Sequence, residues 1–417
     1  GDVYKRQVYK RVKNNYVLKN LLRNMYQGFY DLLPNYESKF IVKPLVKEDS
    51  FFGFHDCTPF SKDNKMLLAN HLLIPLRMPT KNDVLEVGYY SGTEFDVWHK
   101  VGETHAWNYH KGCRLQWVDD THVIFNDAEN DILCSRIVDV LSAENNNKKI
   151  DFPIDSVSYD GNWATSFSYG RLERNMPGYG YAICDEAYLD DDTPKDTGLF
   201  IVDLINNKRD LLLSIEEIAC FQHESSMDGK MHFVTHTEFS YDNRYIAFLH
   251  RWYKGTSRNT RLIVYDRETK KMMASPTTGM VSHYAWNHEN GIVAYCRVDN
   301  VDSHVYFSSP DMQIWKRCAY PQLNSDGHHH FIDNDWFLVD TYPDKWRHVK
   351  LYKVNRKTDE VILLADAKSP KCFVSPSEHK HWKCDLHPRC SEDGKLISFD
   401  SVHTGKRCSV SYTHLRA

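Results

Sequence analysis

Several kinds of chemistry are missing from this chain. It has no run of 18 or more apolar residues, so no hydrophobic membrane-spanning helix is expected. It has no C-x-x-C pair, and its 11 cysteines, an odd number scattered from Cys57 to Cys408, read as reduced thiols rather than as a disulfide frame or a zinc finger. A G-x-S-x-G elbow, a Walker A loop and an H-E-x-x-H helix are all absent, which removes support for serine-hydrolase, nucleotide and zincin chemistry. Charge of one sign is also lacking. A formal net charge of −4 gives no global attraction to nucleic acid, and none is expected as a partner.

Aromatic residues are plentiful, with 25 Tyr, 20 Phe and 10 Trp in 417 residues, and they suit many short strands. Residues 1–7 (GDVYKRQ) and 409–417 (SVSYTHLRA) read as adaptor-derived ends and are set aside from fold reasoning. A signal peptide upstream is therefore not judged, and the reduced thiols place the chain in the cytoplasm. Residues 8–37 show Val12, Tyr16, Leu18, Leu21, Leu22, Met25, Phe29 and Leu32 at three- and four-residue spacings, which predicts an amphipathic helix. Lys10, Arg11, Lys13, Lys19 and Arg23 make it basic. Packing is the simpler role for such a face, and a membrane surface is the alternative.

From residue 38 to 408 the chain repeats itself. Seven copies of one unit occur: TPFSKDNKMLLAN, LQWVDDTHVIFND, SVSYDGNWATSFS, TEFSYDNRYIAFLH, YAWNHENGIVAYCR, HHFIDNDWFLVDT and PRCSEDGKLISFDS. Each reads as strand, tight turn, strand. Their spacing allows about four strands per copy, which predicts an all-β, seven-bladed β-propeller preceded by the short helix. A β-sandwich with coincident turns is the competing fold. One long interval holds an insertion around Gly178 to Thr197. The stretch SKFIVKPLV (38–46) is expected to lend an outer strand to the seventh blade, which otherwise looks incomplete.

Aligning the copies on their core position and stepping back three residues gives His236, His283, His328 and His387 in four consecutive blades. Equivalent positions on innermost strands converge on one mouth of the central channel. A single histidine there would be read as a turn or inter-blade bond; four in register point to a site. With Asp385 beside His387, the imidazoles suit a transition metal, and the mixed N and O donors favour Mn²⁺, Fe²⁺ or Zn²⁺ over Ca²⁺. His329 and His330 alternate faces with His328, so not all three can ligate. Arg114 holds the corresponding position in the second copy, and Arg261 and Arg389 lie near the same face. Guanidinium forks there suit a carboxylate. His236, Arg251, Arg114 and Arg389 are accordingly read as contacts to an acidic substrate. Tyr342, in DTYPD (340–344), is a candidate proton donor, with a packed turn as the plainer reading. GYGY (178–181) is a sugar platform or a structural bend. Metal, base and carboxylate clamp together suggest removal of a proton α to a carboxylate.

These residues carry a resemblance. From about Phe52 to Arg407, and most clearly at TRLIVYD, SHYAW, DGHHHF and HPRCSEDGKLISFDSVHTGKR, the chain resembles the oligogalacturonate lyases, seven-bladed propellers that cleave short uronate oligomers by metal-assisted β-elimination. The resemblance implies Arg261 as the carboxylate-binding catalytic arginine, His283 as the base, and His328 and His387 as ligands of a divalent metal, Mn²⁺ in the first instance. The chain departs from the family pattern at Asp385, where a further histidine is expected, and near Trp382, where a glutamine is. It also carries FFGFHDCTPFS and ETHAWNYHKGCRLQW, so it looks like a divergent bacterial branch. The expected function is a lyase acting on a uronate-containing oligosaccharide or polysaccharide. The alternative is a non-catalytic propeller binding an acidic glycan or a protein partner at the same mouth.

Overall fold

The computed structural model describes residues 16–33, 36–142, 147–183, 187–254, 257–374 and 381–413. The order of the fold begins in one turn chemistry used four times over. Ser61, Ser158, Ser240 and Ser391 each donate from Oγ to an aspartate two residues on, namely Asp63, Asp160, Asp242 and Asp393. The same oxygens accept from backbone N–H groups five residues on, at Met66, Trp163, Tyr245 and Leu396. The side chains thus satisfy the turn's own donors, as Asx and Ser turns do. The residue after each aspartate, Asn64, Gly161, Asn243 and Gly394, has φ between 60° and 70°, which explains the D-N and D-G pairs.

Seven antiparallel sheets result, joined in chain order. The first contains Ser50–Phe51, Leu67–Leu72, Leu85–Ser91 and Val97–Thr104, and the second Gln116–Trp117, His122–Glu129, Ile132–Asp139 and Asn147–Ile150. The third has Trp163–Ser166, Gly198–Asp203 and Lys208–Ser214, and residues 155–158 take the inner position through Asp155 N–H to Thr165 O (2.8 Å) and a bridge of Val157 to Ala164. The fourth comprises His232–Phe239, Tyr245–Lys254, Ser257–Asp266 and Lys271–Ala274, and the fifth Val281–Trp286, Ile292–Val298, Val301–Phe307 and Trp315–Arg317. The sixth holds His329–Phe331, Trp336–Asp340, His348–Asn355 and Val361–Lys368, and the seventh Arg389–Cys390, Leu396–Ser401 and Cys408–Thr413. This is a seven-bladed β-propeller. Apolar side chains of neighbouring blades close the gaps between them: Ala247, Leu249, Leu262 and Val264 of the fourth pack with Tyr284, Trp286 and Ile292 of the fifth.

The stretch 38–46 divides between two blades instead of serving one. Lys39–Phe40 pairs with Asp366 and Ala365 at the edge of the sixth sheet, while Leu45–Glu48 pairs with Cys408–Ser411 and gives the seventh its fourth strand. Pro44 lies between them and has no N–H to continue a ladder. The seventh blade is therefore four-stranded, and Ser409–Thr413, set aside in the sequence as part of an end, lie within its ladder.

The predicted N-terminal helix is found at Tyr16–Asp31; residues 8–15 of the prediction lie outside the described residues. It is moored to the sixth blade, with Gln27 Nε2 donating to Asp344 O (3.1 Å), Arg347 bonded to Gln27 and Asp31, and Tyr30 edge-on to Trp346. Leu21, Leu22, Met25 and Phe29 remain exposed. Among the described residues no helix is long and apolar enough to cross a membrane, and the ten described cysteines form no disulfide.

Candidate active site at the histidine mouth

The chain that leaves the first inner strand turns into the axis and plugs it. Phe52 and Gly53 donate their N–H groups to the carboxylate of Asp400 (both 3.0 Å). Gly53 has φ 124°, and a Cβ there would lie 2.8 Å from the Lys111 carbonyl carbon, so only glycine fits. Phe54 then sits among His236, His387, His328 and His283, at ring-centroid distances of 4.9, 5.0, 6.0 and 6.3 Å. His55 Nδ1 is fixed on His329 O (2.7 Å) and its Nε2 has no partner.

Around this plug the four in-register histidines do converge. His236 and His387 have φ of 55° and 46°, and the equivalent Arg114 has 58°, a left-handed conformation uncommon for these residues. A bulge follows His236, and another lies at His283; both re-aim side chains. His328 lies 3.9 Å from His283 and 4.3 Å from His387.

His328, Asp385 and His387 place ligand atoms within 4.8 Å of one another, all buried. His328 Nδ1 bonds Asp340 (2.9 Å) and His387 Nδ1 bonds Gly53 O (2.6 Å). Both bonds leave Nε2 as the lone-pair nitrogen, the usual outer-shell arrangement for metal-binding histidine. Asp340 also accepts the backbone N–H groups of His328 and His387. Burial alone would raise the Asp385 carboxyl, but Lys383 (2.8 Å), then His328 and His110, hold it well below the usual carboxylate range. Two oriented imidazoles and a carboxylate fit a divalent transition metal with coordination positions to spare.

His283 is the candidate base. Its Nδ1 faces Asp326 (3.5 Å) and Ser282 Oγ (3.1 Å), and Ser282 in turn donates to Asp326 (2.7 Å). Burial, then His328, lowers its pKa to about 4, so the ring is neutral and Nε2 is free to accept. Tyr342 stands at the mouth, 5.9 Å from His328, with Lys383 Nζ 4.6 Å above its ring.

The arginines separate sharply. Arg114 is bound bidentately to Asp56 (2.9 and 2.8 Å) and to Asp155 O (2.6 Å), and Arg389 to Asp400 (2.9 Å) and Gly53 O; neither offers a free fork. Arg261 is not brought to the cluster at all. It donates to His250 Nδ1 (3.0 Å) and to the carbonyls of Ile218, Phe221 and Gln222, closing the end of the short helix Ile215–Cys220. The reason is strand alternation: His250 pairs with Arg261 across the ladder and Arg251 with Thr260, so Arg261 shares a face with His250 and Arg251 takes the other. Arg251 is buried; among the described residues it bonds only Met176 Sδ (2.9 Å) and, at 3.5 Å, Ser282 O beside His283, and its Nε has no partner. Burial, then Arg258, pushes its pKa well down.

Sequence reasoning missed Asp326, Asp340, Lys383 and His110. Asp326 and Asp340 stand inside the quoted motifs DGHHHF and DTYPD, His110 inside the quoted segment ETHAWNYHKGCRLQW, and Lys383 next to Trp382. The GYGY bend sends Tyr179 onto His110 (4.3 Å, stacked) at this mouth and Tyr181 inward to Asn126 (2.7 Å).

No protein-family model matches the chain, and no curated protein matches it. Among solved structures it is similar to an oligogalacturonate lyase in complex with manganese, with TM-score 0.62 and 14% identity over 92% of this chain and 96% of that one. It is also similar to oligogalacturonate lyase from Vibrio parahaemolyticus, with TM-score 0.60 and 11% identity over 91% and 96%. At such identities the likeness shows a shared propeller fold.

Proposed function

We propose that the histidine mouth is a lyase site that removes a proton α to the carboxylate of a uronic acid and eliminates the glycosidic oxygen at the β carbon. The observation that carries this is Arg251: a buried guanidinium that, among the described residues, has an unpartnered Nε and no carboxylate bonded to it, one residue contact away from the oriented His283–Asp326 pair. A buried, uncompensated cation is costly unless a ligand anion completes it, and a uronate carboxylate matches the fork. The role that resemblance gives Arg261 thus passes to Arg251.

His283 Nε2 takes the proton, and Asp326 holds the ring's orientation and stabilises the imidazolium. The carbon's electron pair becomes the new double bond, and the β oxygen leaves with a proton from Tyr342. His328, Asp385 and His387 would hold a divalent metal, which when bound would supply Lewis-acid stabilisation of charge on the substrate carboxylate; the manganese complex of the similar lyase makes Mn²⁺ the first choice. His236 and His55, each with Nε2 unpartnered, offer hydrogen bonds to the sugar.

The test is to incubate the protein and Mn²⁺ with galacturonate oligomers and with glucuronate-containing oligomers, following the ultraviolet absorbance of the unsaturated product. A rise that His283→Ala abolishes is expected. Binding of the oligomers with no double bond formed would transfer the mouth to the non-catalytic glycan-binding reading.

A further inference from the structure

The inner strands carry the histidines at one end and the Ser-x-Asp turns at the other, separated by roughly 15 Å at about 3.3 Å per residue. At the turn end the channel opens into a second cavity of about 480 Å³. Its walls are Trp117, Tyr159, Tyr241 and His288, and its floor includes Asp56 and Glu238. The rings are already ordered against one another: Tyr159 stacks on Tyr241 at 4.3 Å and Tyr241 lies 3.8 Å from His288.

The ion pairs at the floor leave one acid over. Arg114 is closed by Asp56 and Asp155, and Lys111 by Asp155 at 2.7 Å, so two cations meet two anions. That acid is Glu238, whose carboxyl burial, then Asp56, pushes well above the usual carboxylate range. It is 7% exposed, lines the cavity, and its carboxyl has no hydrogen-bond or ion-pair partner among the described residues. On the rim stand Asp119, Asp120 and Glu392, while Lys62 leans to Asp120 at 4.0 Å. No cluster with metal-ligand spacing is found here among the described residues, which directs the reading to an organic cation.

We propose that this opposite mouth is a second ligand site, taking a primary ammonium group on a ring-bearing body, with Glu238 as acceptor and Trp117, Tyr159 and Tyr241 as walls. An ammonium supplies the N–H donors that Glu238 lacks and the neighbouring positive charge that favours its ionised form, and aromatic walls attract cations through their faces. The Phe54–His55 plug separates this site from the histidine mouth, so it stands independently of the lyase reading.

The experiment titrates the full chain calorimetrically with 2-phenethylamine, with 2-phenylethanol, which keeps the ring and loses the charge, and with tetramethylammonium, which keeps the charge and loses the N–H donors. The amine is expected to bind about tenfold or more tightly than either analogue, and Glu238→Gln to erase that preference. Tyr241→Ala should weaken the amine and the alcohol alike. Absence of amine binding, equal affinity for amine and alcohol, or a preference that survives Glu238→Gln overturns the proposal. The wild-type comparison decides the matter even if a variant does not fold.

Discussion

The two halves of the ring use the same inner-strand position in opposite ways. Blades four to seven place His236, His283, His328 and His387 there, and each commits its Nδ1 to a protein partner, with no bond found for Nε2 among the described residues. Blades one and two place Cys57 and Arg114 there, and blade three sets Asp155 beside it; Arg114, Asp56, Asp155 and Lys111 then close on one another in a buried network. The difference teaches that one half of the axis is a clamp and the other a site. The clamp holds the ring at its centre, so that unpartnered polar groups on the far side, each unfavourable to folding, are tolerated.

The sharpest way to break this contrast is to remove a ligand from the open half. His387→Ala is expected to abolish tight Mn²⁺ binding and lower the proposed lyase turnover by about a thousandfold or more, since a metal there would stabilise the transition state by several kcal/mol; metal analysis and the ultraviolet assay check it. In the closed half, Arg114→Ala leaves Asp56 and Asp155 short of a partner. It should cost about 3–5 kcal/mol of stability, seen as a lower urea midpoint, with metal affinity retained in the folded fraction. Next comes the pair of arginines that strand alternation separates. Arg251→Ala should lower kcat/KM about 100-fold through loss of a charged hydrogen bond, whereas Arg261→Ala should lower the melting temperature and leave KM near that of the wild type. Asp340→Asn would weaken the orientation of both candidate ligand imidazoles and is expected to raise the Kd for Mn²⁺ about 10- to 100-fold, measured by calorimetry.

The smallest effect concerns the loop that serves the open half. Glu173 accepts from the N–H groups of Gly178 and Gly180, which flank Tyr179. Burial raises its pKa to about 7 from 4.5. The folded state therefore holds a proton that the unfolded chain has released, and this contribution to stability is present below about pH 4.5 and is lost as pH rises through about 7. Glu173→Gln should gain on the wild type across that window in urea melts, and parallel curves would show that Glu173 does not titrate there.

Much of this was legible in the sequence where the determinant is local. Each turn is complete within about five residues, four of them as Ser-x-Asp turns and the others as Asp- or Asn-containing variants, so seven copies are countable, and the histidine register follows from the position of each turn. His328, Asp385 and His387 were read as a set because Asp385 and His387 are neighbours on one segment. What was not legible depends on partners far apart in the chain. His55 meets His329 across 274 positions, and Asp340 gathers His328 and His387 from two blades. Arg261 lies apart from the cluster for a different reason: a two-residue period assigns faces only when the ladder register is known, and the ladder puts Arg251 and Arg261 on opposite faces. The division of residues 38–46 between two blades turns on Pro44, whose effect could be anticipated but not its position relative to either edge.

The pairing of Leu45–Glu48 with Cys408–Ser411 has a consequence for biosynthesis. The first of these strands leaves the ribosome hundreds of residues before its partner exists, so throughout translation the growing ring exposes an unpaired edge at each end. Such edges recruit other chains, and contacts of this sequence separation form late and slowly. Closure is thus a single terminal event that converts an aggregation-prone crescent into an edge-protected ring. Chains broken anywhere before Cys408 would be expected to fail in the cell by self-association long before any loss of chemistry at the axis could be noticed.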